Sequence, residues 1–77
     1  MFDTAPPEAA RLIIEGLGGP PKVAEMTKAP VTTVHSWMRV GLTRARLDHM
    51  RLAAAREGAE FDFDEAIASV HSEVVTA

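Results

Sequence analysis

Residues 21–38 read PKVAEMTKAPVTTVHSWM, and this stretch decides the fold. A short helix ends within its first half, and a second helix opens after Pro30, which fixes the backbone there. Val31, Val34 and Trp37 follow at three-residue spacing, which predicts that they lie on the inner side of the second helix. Only about three residues are left for the connection. The stretch therefore predicts two helices that meet at a tight turn.

A helix-turn-helix that reads DNA has the same parts in the same order. It needs a small residue on the first helix where the second crosses it, a turn of three or four residues, and apolar residues that pin the second helix. Ala24 is the small residue, Ala29 follows the turn, and Val34 lies ten residues after Ala24 with Trp37 three further on. The outward positions of the second helix are then Thr32, Thr33, His35, Ser36 and Arg39.

A further helix is predicted before this stretch. Thr4 can cap it, since the opening turn of a helix tolerates Pro6 and Pro7, and the glycine pair at 18–19 ends it. Three apolar residues share one face of this helix in the prediction: Leu12, Ile13 and Leu17. The next helix is short, roughly from Pro21 to Met26.

Two more helices are predicted after the stretch. Gly41 ends the third helix, and Thr43 can cap a fourth through about Arg56, before Gly58 provides the stop. Its predicted inward residues are Leu47, Met50 and Ala54. Asp64 can cap a fifth helix. We therefore expect a compact all-α domain of four to five helices, with residues 1–58 as the body and residues 59–77 as an acidic C-terminal segment.

The composition excludes several classes of protein. The 77 residues include no cysteine, and no run approaches the roughly 18 apolar residues that span a bilayer. The three histidines, His35, His49 and His71, fall on three different predicted helices without carboxylate clusters, and no nucleophile has a plausible base. We expect no membrane, no metal, no cofactor and no enzymatic activity, and a cytoplasmic location.

The charge is divided unevenly along the chain. Residues 1–56 hold all eight basic side chains and five acidic ones, a net charge of +3, whereas residues 57–77 hold six acidic and no basic ones. A basic body can face phosphates while an acidic end points away from them. A simply solvated acidic tail explains the same pattern.

Several of these residues together resemble the Cro and lambda-repressor-like helix-turn-helix family, particularly its small phage-type Cro/YdaS-like members. The residues are Leu17-Gly18-Gly19, Val23-Ala24, Val34, Trp37 and Gly41. The resemblance covers about residues 10–56 without an insertion. It implies a bacterial phage or prophage transcription regulator, associated with the nucleoid, that binds duplex DNA as a homodimer on a palindromic operator and reads the major groove with residues 31–38.

The resemblance also implies roles for individual residues. It places base contacts at Pro30, Val31, Thr32, His35 and Ser36, to which the outward pattern adds Thr33. It places phosphate contacts near Lys22 and Arg39, and Lys28 is expected among them. Lys28 stands where the family commonly has the turn glycine, and a lysine can occupy that left-handed position at some steric cost.

Two features outside the helix pair have more than one interpretation. Arg44 and Arg46, at the start of the fourth helix, can clamp a phosphate beside outward amide protons, or can simply be solvated. The apolar residues of the C-terminal segment can form a homodimer or partner interface, or can fold back onto their own domain; they are Phe61, Phe63, Ile67, Val70 and Val74. The alternative function is accordingly a protein-interaction module, such as an antitoxin-like, inhibitory or adaptor protein, that binds its partner through residues 59–77.

Overall fold

The computed structural model describes residues 4–76, with side chains for residues 4–70, and holds five helices over this range. They are α1 Pro7–Gly16, α2 Pro20–Thr27, α3 Val31–Val40, α4 Arg44–Arg56 and α5 Phe63–Thr76. Over the described range the only β-type pairing is an isolated antiparallel bridge between Ala5 and Leu42. The predicted all-α fold is confirmed. No described helix is long and apolar enough to cross a membrane.

The five helices share one hydrophobic core. α1 packs against α3 and α5, and α2 packs against α3 and α4. The largest fully buried side chains come from all five helices: Ile13, Ile14, Val23, Val34, Leu47, Met50 and Ile67. The radius of gyration is 11.6 Å, close to the roughly 11.5 Å expected for a compact chain of this length.

The N-terminal segment differs from its prediction. α1 begins at Pro7 with Pro6 as its N-cap and no side-chain cap, because the chain just before it is extended and Ala5 pairs with Leu42. Thr4 is therefore not the cap. The buried face of α1 also has another phase: Leu12 is 47% exposed, and Ile14 takes its place in the core.

The helix ends after residue 40 follow the sequence pattern with one exception. Gly41 ends α3, and the Thr43 side chain accepts a hydrogen bond from the amide of Arg46 at 3.4 Å, as predicted. The cap of α5 is Asp62, whose Oδ1 accepts from the amide of Glu65 at 3.0 Å. Asp64 lies inside the first turn instead, and Arg51 donates to its carboxylate at 2.9 Å.

α5 folds back onto its own domain. Phe63, Ile67 and Val70 are 6%, 0% and 6% exposed, because they are buried mainly against α1. Of the two alternatives left open for these three residues, the structure shows the second, because the chain's own core covers them. Phe61 is half-buried, packs edge-on against Phe63 with ring centroids 5.3 Å apart, and occupies the space beside Gly16. Val74, the fifth residue of the expected interface, lies outside the residues whose side chains are described.

Candidate nucleic-acid interface

α3 has a buried inner face and an exposed outer face. Val34 and Trp37 are 0% and 4% exposed, which confirms them as the inner residues. Val31 was expected beside them, but at 40% exposure it lies on the outer side of the first turn. Four of the six expected base-contacting residues are exposed, and the other two are half-buried. The exposed ones are Pro30, Val31, Thr32 and His35; Thr33 and Ser36 are the half-buried ones.

A strained turn sets the start of α3. Lys28 has φ 62° and ψ 32°, the left-handed conformation predicted for it, and its amide donates to the carbonyl of Ala24. The amide of Ala29 donates to the same carbonyl at 3.1 Å. Pro30 then acts as the N-cap residue, and its carbonyl accepts from the amides of Thr33 and Val34 at 3.0 and 3.2 Å. These bonds hold the first turn of α3 in a defined position on α2.

The end of α3 is held from the N-terminal segment. Gly41 has φ 93° and ψ −177°, and a Cβ there would lie 2.6 Å from the carbonyl oxygen of Ala5. Ala5 and Leu42 exchange two backbone hydrogen bonds, of 3.0 and 2.8 Å. The Nε of Arg11 on α1 donates to the carbonyl of Met38 at 3.2 Å, which satisfies one of the free carbonyls of the last turn. Both ends of α3 are therefore tied to the rest of the fold.

The start of α4 packs against the same helix. The guanidinium carbon of Arg46 lies 5.2 Å from the centroid of the Trp37 ring, a cation–π geometry. The Nε1 of Trp37 is buried and has no hydrogen-bond partner among the described residues. The contact between Arg46 and Trp37 was not predicted, because only the tertiary fold brings these residues of two helices together. Arg46 therefore has a structural partner in addition to its exposed charge.

The expected phosphate-contacting residues are all exposed, but they do not form one patch. Lys22 of α2 lies near the C-terminal end of α4, because its Nζ is 4.0 Å from the Oε1 of Glu57, the residue that follows this helix. Arg44 and Arg46 start the same helix. At a rise of about 1.5 Å per residue, the two ends are roughly 18 Å apart. Two separate basic positions therefore flank the helix pair, while Arg39 lies on the last turn of α3.

The acidic side of the molecule carries a groove that sequence analysis missed. An open groove of about 320 Å³ runs between α1 and the start of α5, lined by Leu12, Phe61, Asp62, Glu65, Ala66 and Ser69. The incorrect placement of Leu12 in the core hid this feature. No cluster of three or more histidine, aspartate or glutamate side chains able to hold a metal ion occurs among the described residues.

α3 thus has an exposed face, hydrogen bonds to the rest of the fold at both of its ends, and cationic side chains near it. Comparison of the chain with protein-family models, curated proteins and solved structures finds no significant match in any of the three.

Proposed function

We propose that this chain is a sequence-specific, DNA-binding transcription regulator of phage Cro/repressor type, in which α2 and α3 act as a helix-turn-helix. The observation that carries this proposal is α3 itself. It is pinned by buried Val34 and Trp37 and fixed at both ends by hydrogen bonds. In its first two turns it exposes Val31, Thr32 and His35. A rigid helix with one free polar face suits the major groove, which is wide enough to admit it.

The exposed face of α3 offers a defined set of contacts to bases. The methyl groups of Val31 and Thr32 can contact the methyl group of thymine, and His35 can donate a hydrogen bond to the acceptors of guanine. Arginine, asparagine and glutamine, which make bidentate contacts to bases, are missing from the first two turns of this helix. We therefore propose modest affinity per subunit, supplemented by DNA shape and by a second subunit on a palindromic site.

Phosphate contacts supply the remaining affinity in this proposal. Arg39 lies at the end of α3, and Arg44 lies in the first turn of α4, where free backbone amides also attract anions. Lys22 and Lys28 add charge at the two ends of α2. Because such contacts release counterions, binding should weaken steeply as salt is raised. The proposed DNA binding implies a location on the nucleoid in the cytoplasm.

The test is a salt titration of DNA binding by fluorescence anisotropy. The double variant Arg39→Ala, Arg44→Ala should lower the slope of log K against log salt by roughly 2, about one for each lost phosphate contact. The matched control, Ala68→Glu with Ser69→Glu, changes the net charge by the same amount on exposed positions of α5. Equal slopes for the wild type and the arginine variant would contradict the proposed docking.

The acidic groove favours a second candidate function, binding of a protein partner. Exposed Leu12 and half-buried Phe61 give it an apolar floor, and Asp62 and Glu65 give it an acidic rim. A basic segment with one aliphatic anchor fits this chemistry. Titration with an amphipathic lysine/leucine peptide, followed by NMR, should shift resonances of the groove in the wild type but not in Leu12→Glu; unchanged groove resonances would exclude this function.

A further inference from the structure

The outer face of α4 is exposed and carries an apolar residue that the chain's own fold leaves uncovered. Leu52 is 66% exposed, although the opposite face of the same helix supplies Leu47 and Met50 to the core at 1% exposure each. Two exposed alanines lie on the same face, Ala55 about one turn after Leu52 and Ala45 about two turns before it. Together with the charged residues Asp48 and Arg56 they form what we call the α4 outer face.

The charges of the α4 outer face are arranged symmetrically about its leucine. Asp48 lies four residues before Leu52 and Arg56 four residues after it, so each is about 6 Å from Leu52 along the helix axis. Residues four apart lie on the same side of a helix. Both charged side chains are exposed, and neither forms an ion pair with any described residue.

We propose that the α4 outer face binds the α4 outer face of a second copy of this chain, with the two helices antiparallel and Leu52 at the two-fold axis. A two-fold axis through Leu52 reverses the order of residues on the second helix. Asp48 then lies at the height of the partner's Arg56, and Arg56 at the height of the partner's Asp48. A single surface thus forms two ion pairs around a leucine contact, as an isologous interface requires.

Charge complementarity favours the antiparallel pairing of two copies of this face. A parallel pairing of the same helices would place aspartate beside aspartate and arginine beside arginine, which is repulsive. The face is self-complementary in charge when the two helices are antiparallel.

This inference deepens the proposed function, because an operator-binding regulator of this type acts as a dimer, and it rests on that proposal for its biological role. The α4 outer face contains no residue of α3, so the interface leaves Thr32 and His35 exposed. One apolar residue per subunit makes a small contact area, and we expect a weak dimer, with a dissociation constant nearer to micromolar or above than to nanomolar.

The test is sedimentation velocity of the full chain without DNA, up to about 1 mM, a concentration that detects interaction energies of about 4 kcal/mol. Asp48→Arg and Arg56→Asp should each weaken self-association by at least about tenfold, since each converts both ion pairs into like-charge pairs. An equimolar mixture of the two variants should regain the dimer, as each then offers the charge that the other lacks. Val40→Lys is the matched control, because Val40 is 67% exposed but lies on α3.

Each variant should give the circular dichroism spectrum of the wild type, because the substituted positions are exposed on helices. The inference is overturned if the wild type stays monomeric at about 1 mM, if the single charge variants associate as strongly as the wild type, or if the mixture does not regain the dimer. Because DNA is absent, none of these outcomes bears on whether α3 binds DNA.

Discussion

Replacing Gly41 with alanine probes the junction that holds the end of α3. Gly41 has φ 93° and ψ −177°, a backbone conformation essentially confined to glycine. An added Cβ would also lie 2.6 Å from the carbonyl oxygen of Ala5. Gly19, which precedes α2, has nearly the same backbone angles, φ 93° and ψ 170°, but a Cβ there meets nothing closer than Cδ of Pro21 at 3.9 Å. The two glycines therefore form a matched pair.

The expected losses of unfolding free energy differ because only the Cβ at position 41 meets the carbonyl oxygen of Ala5. Backbone strain alone costs about 2 kcal/mol at either glycine. At Gly41 the Cβ must also displace Ala5, whose two backbone hydrogen bonds to Leu42 contribute about 1 kcal/mol each. We expect a loss of about 2 kcal/mol for Gly19→Ala and about 4 kcal/mol for Gly41→Ala. For a domain of this size the melting temperature falls by roughly 4–8 °C per kcal/mol.

Thermal and urea unfolding followed by circular dichroism measure both variants. The fluorescence of Trp37, the only tryptophan, reports in addition on the α3–α4 junction. A loss for Gly41→Ala equal to or smaller than that for Gly19→Ala would refute the reasoning, since it would show that the contact with Ala5 does not constrain the junction.

Four further variants test the fold by the same unfolding measurement. Lys28→Gly should be more stable than Lys28→Ala by about 1 kcal/mol, because both remove the charge but only glycine relieves the left-handed strain; equal stabilities would contradict this. Asp62→Ala should lose about 1 kcal/mol with the cap of α5, and an unchanged stability would show that the cap contributes nothing. Ile67→Ala should lower the free energy of unfolding by about 3 kcal/mol, because the residue is fully buried; an unchanged stability would show that α5 does not contribute to the core. Trp37→Phe should stay within about 1 kcal/mol of the wild type, because the smaller ring also removes an unpaired buried N–H; a loss above about 3 kcal/mol would contradict that.

Local signals in the sequence predicted both helices of the pair and their inner residues, except Val31, which is 40% exposed. Val34 and Trp37 are inward because apolar residues three apart share a helix face, and Gly41 and Thr43 act at helix ends through their own chemistry. The left-handed conformation of Lys28 was indicated by the resemblance, because Lys28 stands where the family commonly has the turn glycine. Each of these features depends on neighbours close in the chain.

The errors concern features that depend on distant packing. The phase of α1 was misassigned because its core stripe begins with Ala9 and Ala10, fully buried alanines that a search for large apolar residues overlooks. Whether α5 forms an interface or folds back was left open, because its apolar stripe does not reveal that it packs against α1. Asp64 was wrongly predicted as the cap of α5. In the folded chain it binds Arg51 of α4, a contact that the sequence does not reveal.

Selection of random duplex DNA by the purified protein at near-physiological salt tests the central claim most directly. The retained DNA is sequenced and compared with the DNA retained by the double variant Thr32→Ala, His35→Ala, both exposed on α3. We predict that the wild type enriches a palindrome with half-sites about one helical turn apart, and that the variant retains DNA with a changed or weaker motif. A wild-type protein that folds but retains no DNA, or a variant that enriches the identical motif equally well, would contradict the assignment of α3 as the DNA-reading helix.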